Sequence, residues 1–494
     1  MTNVKQITTM CKAGQVQAAY DIAKAGFAAM PTNVWTQRGF GWALYYMIKN
    51  DSEVGNYPKL LEHIDELNSL DLLTFDNDSM IYDNVQFQIA SFIKNHISLT
   101  DIEASSKLST LFMKLKCYEF KSSKSHSFLL QTILKFVNWP EMADFFDWWN
   151  LENLTQEDYT PYINQKGQKM MTLAERAYIA NSKALLSQND PIRIKEFLPK
   201  LDWLMNNYKE MMYPGYFYGK LLLALGSNRD DALKAIIPFA RKKVTEFWVW
   251  QLLSDVFTND EEKQLACLLR AVHSRAQENF LGKVHIKLAN LYIKRGQLNS
   301  ARFHIDAVTR CYASQGWRLP NEIDCWIHQP WFNSTTPDEL VAINYKSITD
   351  AILCDGAEEC IAVVTYVDQN AHKSFVIYGK EKRTVQKFRF KAQVGSIVKL
   401  HYVVDDAGRI NVLNSTLAQL PSDLDYAKYV EGKIDKRDDK EFAFLKTRSF
   451  SCFVSPNIVR KYALKNGDNV KCLIVYDYDK KKNSWNWVCV NVEK

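Results

Sequence analysis

The spacing of hydrophobic residues divides the chain into a helical part and a strand-rich part. From residue 3 to about residue 316, apolar residues recur three and four positions apart, which places them on one face of a helix. One such stripe consists of Leu265, Leu268, Leu269 and Val272. Glycines such as Gly226 end the predicted helices, because glycine readily adopts the backbone conformation that closes a helix. The pattern predicts pairs of helices joined by short turns.

After Gly316 the pattern changes to strands. A segment rich in proline and tryptophan leads to one last predicted helix, ELVAINYKSITDAIL, and apolar residues then alternate with polar ones from Cys360 onward. The first set of predicted strands is IAVVTYV, KSFVIYG, KFRFKA, SIVKLHYVV and RINVLNS, and the second set is EGKI, EFAFLK, SCFVS, NVKCLIVYDY and WNWVCVNV. About five strands in about 65 residues is the size of a small OB-type barrel, so each set predicts one barrel.

These patterns predict a multidomain protein, an all-α helical-repeat solenoid followed by two small all-β OB-type barrels. The predicted domains are a helical-repeat array over residues 1–316, a linker with a final helix over 317–356, a first barrel over 357–420 and a second barrel over 428–494.

Several helical segments resemble the tetratricopeptide repeat, a helix-turn-helix unit of about 34 residues. In CKAGQVQAAYDIAKAGFAAMP, Gly14 stands in the turn, Ala19 at the small packing position and Pro31 at the end, and Gly41 follows where a first helix needs a small residue. LANLYIKRGQLNSARFHIDAV is the other good match. Dividing the length of the region by that of the repeat gives roughly seven or eight helix pairs. The resemblance implies an elongated groove that binds a protein partner.

The second strand set resembles the cold-shock variety of the OB fold. KEFAFL stands where that family has K-G-F-G-F, and CFVSP stands one strand later, where it has V-F-V-H-F. The resemblance implies that the nucleic-acid-binding residues are Lys440, Phe442, Phe444 and Phe453, flanked by Lys446 and Arg448.

Four positions depart from the cold-shock motifs. Glu441 and Ala443 replace glycines, Ser455 replaces the histidine and Pro456 the final phenylalanine. The changes at Ser455 and Pro456 remove two base-contacting positions of the family. We therefore expect weaker affinity for nucleic acid than the family has.

The first strand set carries a fainter version of the same pattern. Lys373 and Phe375 lie in KSFVIY, and KFRFK supplies Phe388, Arg389 and Phe390 on the predicted next strand. Rings on one strand face with cations beside them are what base stacking requires, so these residues are further candidates. The alternative is that all these rings are core, packed beneath a helix or loop or against the neighbouring barrel.

Charge favours the C-terminal third as the part that contacts a polyanion. The net charge is +6, but residues 361–494 hold 24 Lys and Arg against 15 Asp and Glu, which leaves −3 for residues 1–360. A local excess of this size suits a nucleic acid, and it equally suits a solvated surface.

Other features of composition exclude several classes of protein. With 47% apolar residues, no signal-peptide pattern and no apolar run long enough to span a bilayer, the chain is expected to be folded and cytoplasmic. Its ten cysteines include no CxxC pair, which is typical of reduced thiols.

Metal and catalytic motifs are weak in this sequence. Cys325 and His328 have CxxH spacing with His304 and Cys311 upstream, but His304 falls on an apolar helical stripe, where a buried histidine is the commoner explanation. The sequence has no GxxxxGK[ST], GxGxxG, HExxH or GxSxG motif. We expect no enzyme, no metal and no cofactor.

The sequence therefore predicts a non-enzymatic cytoplasmic adaptor. Its helical repeats would bind a protein partner, and its barrels would bind single-stranded nucleic acid, with RNA favoured over DNA. Proteins that pair such repeats with nucleic-acid modules resemble components of bacterial conflict or defence systems. The alternative is a purely protein-binding scaffold whose barrels are docking modules.

Overall fold

The computed structural model describes the chain except at nine short gaps and ends. The described residues are 4–227, 229–339, 341, 343–370, 372–388, 390–405, 407–479 and 483–493. The chain divides into two compact units, residues 1–239 and residues 240–494.

The first unit is built from helices, most of them joined by short connections, with a longer segment over residues 150–172. They are α1 Val4–Lys12, α2 Val16–Ala29, α3 Val34–Val54, α4 Tyr57–Asn68, α5 Phe75–His96, α6 Ala104–Leu115, α7 Lys124–Ile133, α8 Met142–Trp149, α9 Leu173–Gln188, α10 Pro191–Asn207 and α11 Pro214–Ala224, followed by α12 Arg229–Lys242, which crosses the boundary between the units. The apolar stripes of α1 to α11 share one continuous core, so these helices are held by packing against their neighbours.

Gly41 shows how the sequence sets this packing. It lies on α3, and a Cβ atom there would lie 2.9 Å from Cδ1 of Leu73 and 3.3 Å from Cδ1 of Ile81. A larger residue would push α3 away from α5, so the small residue expected at this position is required by the structure. The finer resemblance to tetratricopeptide repeats stays a prediction.

The second unit begins with further helices. They are α13 Phe247–Val256, α14 Glu261–Val272, α15 Gly282–Lys294, α16 Leu298–Gln315, α17 Asn321–Ile327, α18 Pro330–Ser334 and α19 Tyr345–Leu353. Residues 317–356, expected to be a linker with one helix, contain three helices, and Ile323 on α17 is fully buried against α16. No helix within the described ranges is both long and apolar enough to cross a membrane.

The first strand set forms a five-stranded antiparallel sheet. Its strands are β1 Glu358–Asp368, β2 Lys373–Gly379, β3 Lys382–Gln386, β4 Ile397–Val404 and β5 Ile410–Leu417, in the order β3-β2-β1-β4-β5. The predicted closure of this set into a barrel is not confirmed, because β3 and β5 are the two edges of the sheet that the described residues form.

The third strand of this sheet is not the predicted one. KFRFKA was expected as a strand, but the strand is KRTVQ, which pairs with β2 directly after a tight turn. Glu381 makes that turn with a φ of 59°. The turn brings β3 back before residue 387, so KFRFKA lies beyond the end of β3.

The second strand set is a closed five-stranded barrel. Its strands are β6 Ala427–Asp435, β7 Ala443–Lys446, β8 Ser451–Val454, β9 Asn469–Asp479 and β10 Ser484–Glu493, in the order β10-β8-β7-β6-β9, and the helix α20 Pro456–Tyr462 lies between β8 and β9. A parallel pairing of β8 with β10 closes it. The first sheet has the same strand order without this closing pair, so it corresponds to an opened version of the barrel.

The sheet and the barrel pack against each other within the second unit. The hydroxyl of Tyr426 donates a hydrogen bond of 2.7 Å to the carbonyl oxygen of Ile361. Val363 and Ile377 of the sheet share a core with Leu473 and Val475 of the barrel. The two β structures therefore present one joined surface.

Candidate nucleic-acid interface

Three phenylalanine rings meet on the outer face of the barrel. Phe444 on β7 pairs in register with Phe453 on β8, and Phe442 lies just before β7. The three ring centroids are 5.7 to 6.0 Å apart, and each ring is half-buried. We call these three residues the phenylalanine platform.

The alternate residues of the same strands point into the barrel. Ala443, Leu445, Cys452 and Val454 are all buried and belong to its apolar core. Because successive side chains of a strand point to opposite faces, this burial fixes the platform on the outside. The separation of faces agrees with the sequence pattern, while a role in binding stays a prediction.

The predicted cations lie on β7 or in the segments directly before and after it. Lys446 forms an ion pair of 2.6 Å with Asp435, whose pKa it holds below the usual value by hydrogen bonding. Lys440 lies 3.3 Å from Asp439. Arg448 is exposed on a surface groove of about 700 Å³, which Lys446 also lines. Lysine and arginine beside exposed rings can contact the phosphates of a strand whose bases stack on the rings.

The candidates of the first sheet are divided between its surface and its core. Lys373 and Phe375 lie on β2 and are exposed, so both are available to a ligand. Phe388 and Phe390 lie beyond β3, with stacked rings 5.1 Å apart, and pack against the core of the sheet. The expectation of a strand there was wrong, while a role of these two rings in binding stays a prediction. Arg389 lies outside the described residues.

A second group of rings on the barrel was missed by the sequence reasoning. Phe450, Trp487, Tyr476, Trp485 and Tyr478 form a series in which each ring contacts the next at 5.5 to 6.2 Å between centroids. We call it the aromatic series. The alternation in WNWVCVNV was the available signal, because it places both tryptophans on one strand face.

The residues with CxxH spacing and the histidine upstream of them differ in burial. His304 is fully buried on α16 beside His285, whereas Cys325 and His328 are exposed. Over the described part of the chain, no group of three or more His, Cys, Asp or Glu side chains could hold a metal ion. Lys480, Lys481 and Lys482 lie outside the described residues.

Two family models match parts of the chain. Residues 428–492 match the S1/CSD-like domain 2 of the TOTE conflict systems, and residues 212–351 match a domain of unknown function, DUF7017. Comparison with curated proteins and with solved structures gives no significant match. The C-terminal barrel is therefore similar to an S1/CSD-like domain, and it follows a helical N-terminal region.

Proposed function

We propose that this chain binds single-stranded nucleic acid, with RNA favoured, on the outer face of its C-terminal barrel. The observation that carries the proposal is the phenylalanine platform, in which Phe442, Phe444 and Phe453 contact one another outside the core. Its support from comparison is the match of the barrel to an S1/CSD-like domain.

Stacking on the platform would supply affinity without strong sequence preference. Every base has a flat face, and stacking of a base on an aromatic side chain contributes about 1–3 kcal/mol. Lys440 and Arg448 would contact the phosphates beside the stacked bases. The two missing base-contacting positions, Ser455 and Pro456, imply weaker binding than a cold-shock domain shows.

We further propose that the helical region binds a protein partner and that the whole chain is a cytoplasmic, non-enzymatic adaptor of a conflict or defence system. The matched family is named for the TOTE conflict systems, which supports this setting. Stacked helix pairs offer an extended surface to a partner, and the barrel would bring that partner to nucleic acid.

A titration of the full chain tests nucleic-acid binding. Fluorescence anisotropy with labelled single-stranded RNA, single-stranded DNA and duplex DNA should give the tightest binding for RNA and the weakest for the duplex. Absence of binding to both single strands at low salt would instead favour a protein-binding scaffold whose barrel docks another protein. Affinity purification of the tagged chain after nuclease treatment tests the partner, since a partner held by the helices should remain bound.

A further inference from the structure

A pocket lies where the first sheet meets the barrel. It has a volume of about 450 Å³ and is lined by Thr365, Tyr366, Phe375, Val376, Ile377, Arg383, Thr384, Val385 and Asp477. Pockets that bind small ligands and cofactors begin at about 300 Å³, so this volume admits a planar ring system.

One wall of the pocket is an exposed apolar row. Tyr366, Phe375 and Val385 lie in register across β1, β2 and β3. They are 58%, 40% and 43% exposed, and the two rings are 5.5 Å apart. Much of each of these side chains is accessible to solvent, so the row offers a stacking surface to a ligand.

The lining of the pocket also includes a donor and an acceptor. Arg383 supplies guanidinium N–H groups, and the carboxylate of Asp477 accepts a hydrogen bond of 2.7 Å from the backbone N–H of Tyr478. Burial raises the pKa of Asp477, so an added donor would stabilise its charged form. A ring that presents both an amino group and a carbonyl or ring nitrogen would satisfy both residues.

The chain around this pocket is strongly basic. Residues 373–391 contain seven Lys and Arg against the single acidic residue Glu381. Of these cations, Lys373, Lys380 and Lys382 are exposed on β2, β3 or the turn between them. A phosphate group attached to the ring in the pocket would therefore enter a favourable potential.

The aromatic series connects this pocket to the turn between β7 and β8 of the barrel. Arg383, which lines the pocket, lies over the rings of Tyr478 at 5.1 Å and Trp485 at 5.9 Å. At the other end of the series, Lys428 lies 4.7 Å from the ring of Trp487 and 5.1 Å from that of Phe450. Phe450 belongs to the turn between β7 and β8, the strands that carry the platform.

We propose that the pocket between the first sheet and β9 is a second nucleobase site, which holds one unpaired base of the strand that also stacks on the phenylalanine platform. The base lies on Phe375 and Tyr366, with its polar edge toward Asp477 and Arg383. This inference rests on the proposed nucleic-acid binding and adds to it a longer footprint and a preference. Cytosine, adenine and guanine carry an amino group for Asp477, and uracil does not.

The test compares two oligonucleotide lengths on the full chain. Single strands of about 5 and about 25 nucleotides lie, respectively, within and beyond the range of about 4–16 nucleotides that one OB fold covers. Tyr366→Ala should weaken binding of the longer strand by about 5- to 100-fold and leave the shorter strand unaffected. Leu417→Ala is the matched control, because Leu417 is 67% exposed on the edge strand β5 and does not line the pocket.

The base preference is a second readout. The parent chain should bind an oligocytidine of about 25 nucleotides more tightly than an oligouridine of that length, and Asp477→Asn should reduce this difference. Equal binding of the longer strand by the parent and by Tyr366→Ala, in a folded variant, overturns the second site. The second site is also overturned if cytidine monophosphate quenches tryptophan fluorescence while the affinity for oligonucleotides does not depend on their length. That result would mean a free-nucleotide site. If the parent binds neither length, the proposed function itself fails, which is a distinct result.

Discussion

Phe444 lies directly opposite Phe453 on the outer face of the barrel, with their ring centroids 6.0 Å apart. The next pair in the register, Leu445 and Cys452, is buried inside it. One strand therefore carries a candidate binding face and a core face in alternate positions. Substitutions one residue apart can separate binding from folding.

Removal of one platform ring should weaken binding more than stability. We expect Phe442→Ala to reduce affinity for single-stranded RNA by about 1–3 kcal/mol, because one stacking surface is lost. Its cost in the free energy of unfolding should be on the order of 1 kcal/mol, because the ring is only half-buried. Anisotropy titrations and urea unfolding of the same variant measure both effects.

Phe442→Tyr is the matched control, since tyrosine keeps a ring at this position and should keep most of the affinity. If Phe442→Ala unfolds the barrel while its folded fraction binds as the parent does, the platform rings are structural and the scaffold alternative is preferred.

The core face should respond in the opposite way. Leu445 is fully buried, so Leu445→Ala leaves a cavity and should cost about 2–5 kcal/mol in the free energy of unfolding. The affinity of the folded variant for RNA should be close to that of the parent. Unfolding in urea, with titration under conditions where the variant is folded, checks both points. A large loss of affinity in the folded variant would show that the two faces are coupled.

Salt dependence should distinguish the cations around the platform. Each phosphate contact to a single strand contributes a slope of about −0.7 in a plot of log affinity against log salt. Arg448→Ala should reduce the slope by about that amount. Lys446→Ala should change it less, since Lys446 is already paired with Asp435. Equal slopes for the parent and Arg448→Ala would remove Arg448 from the interface.

The sequence was sufficient for the features that depend on local alternation. It predicted the outward rings and the inward Leu445 because the side-chain period of a strand is fixed at two. It placed His304 on a buried stripe because residues three and four positions apart share one face of a helix. Helix pairs before residue 316 and strands after Cys360 follow from the same periodicities.

The features that the sequence did not show depend on distant pairing. Whether β3 and β5 pair is decided by strands about 25 residues apart, and no local pattern fixes it. KFRFKA alternates like a strand, but the turn at Glu381 pairs the earlier segment KRTVQ with β2. The pocket joins Phe375 to Asp477, which are remote in the sequence, so only the folded chain reveals it.

A buried histidine pair makes the second unit sensitive to acid. Nδ1 of His285 on α15 lies 3.0 Å from Nδ1 of His304 on α16, so one ring donates the hydrogen and the other accepts it. The His304 ring is also stacked on Tyr292, with centroids 5.5 Å apart. Burial lowers the pKa of His285 to about 4 and that of His304 to about 3, with further lowering by nearby positive groups such as Arg310 and His273.

The free energy of unfolding should therefore decrease as the pH is lowered. Both pKa values are lowered on folding, so the unfolded chain binds protons that the folded chain does not, from about pH 6.5 down to about pH 4 for His285 and down to about pH 3 for His304. Stability is greatest above that window and is lost as pH falls through it, by about 1.4 kcal/mol for each unit by which a pKa is lowered. The double variant His285→Leu/His304→Phe replaces both partners with apolar side chains and should flatten this dependence, whereas His328→Ala, at an exposed histidine, should leave it unchanged. His126, whose pKa burial also lowers to about 4, retains a smaller dependence in the double variant. Urea unfolding followed by circular dichroism at several pH values gives the slopes, and identical slopes for the parent and the double variant would show that the pair is not the source.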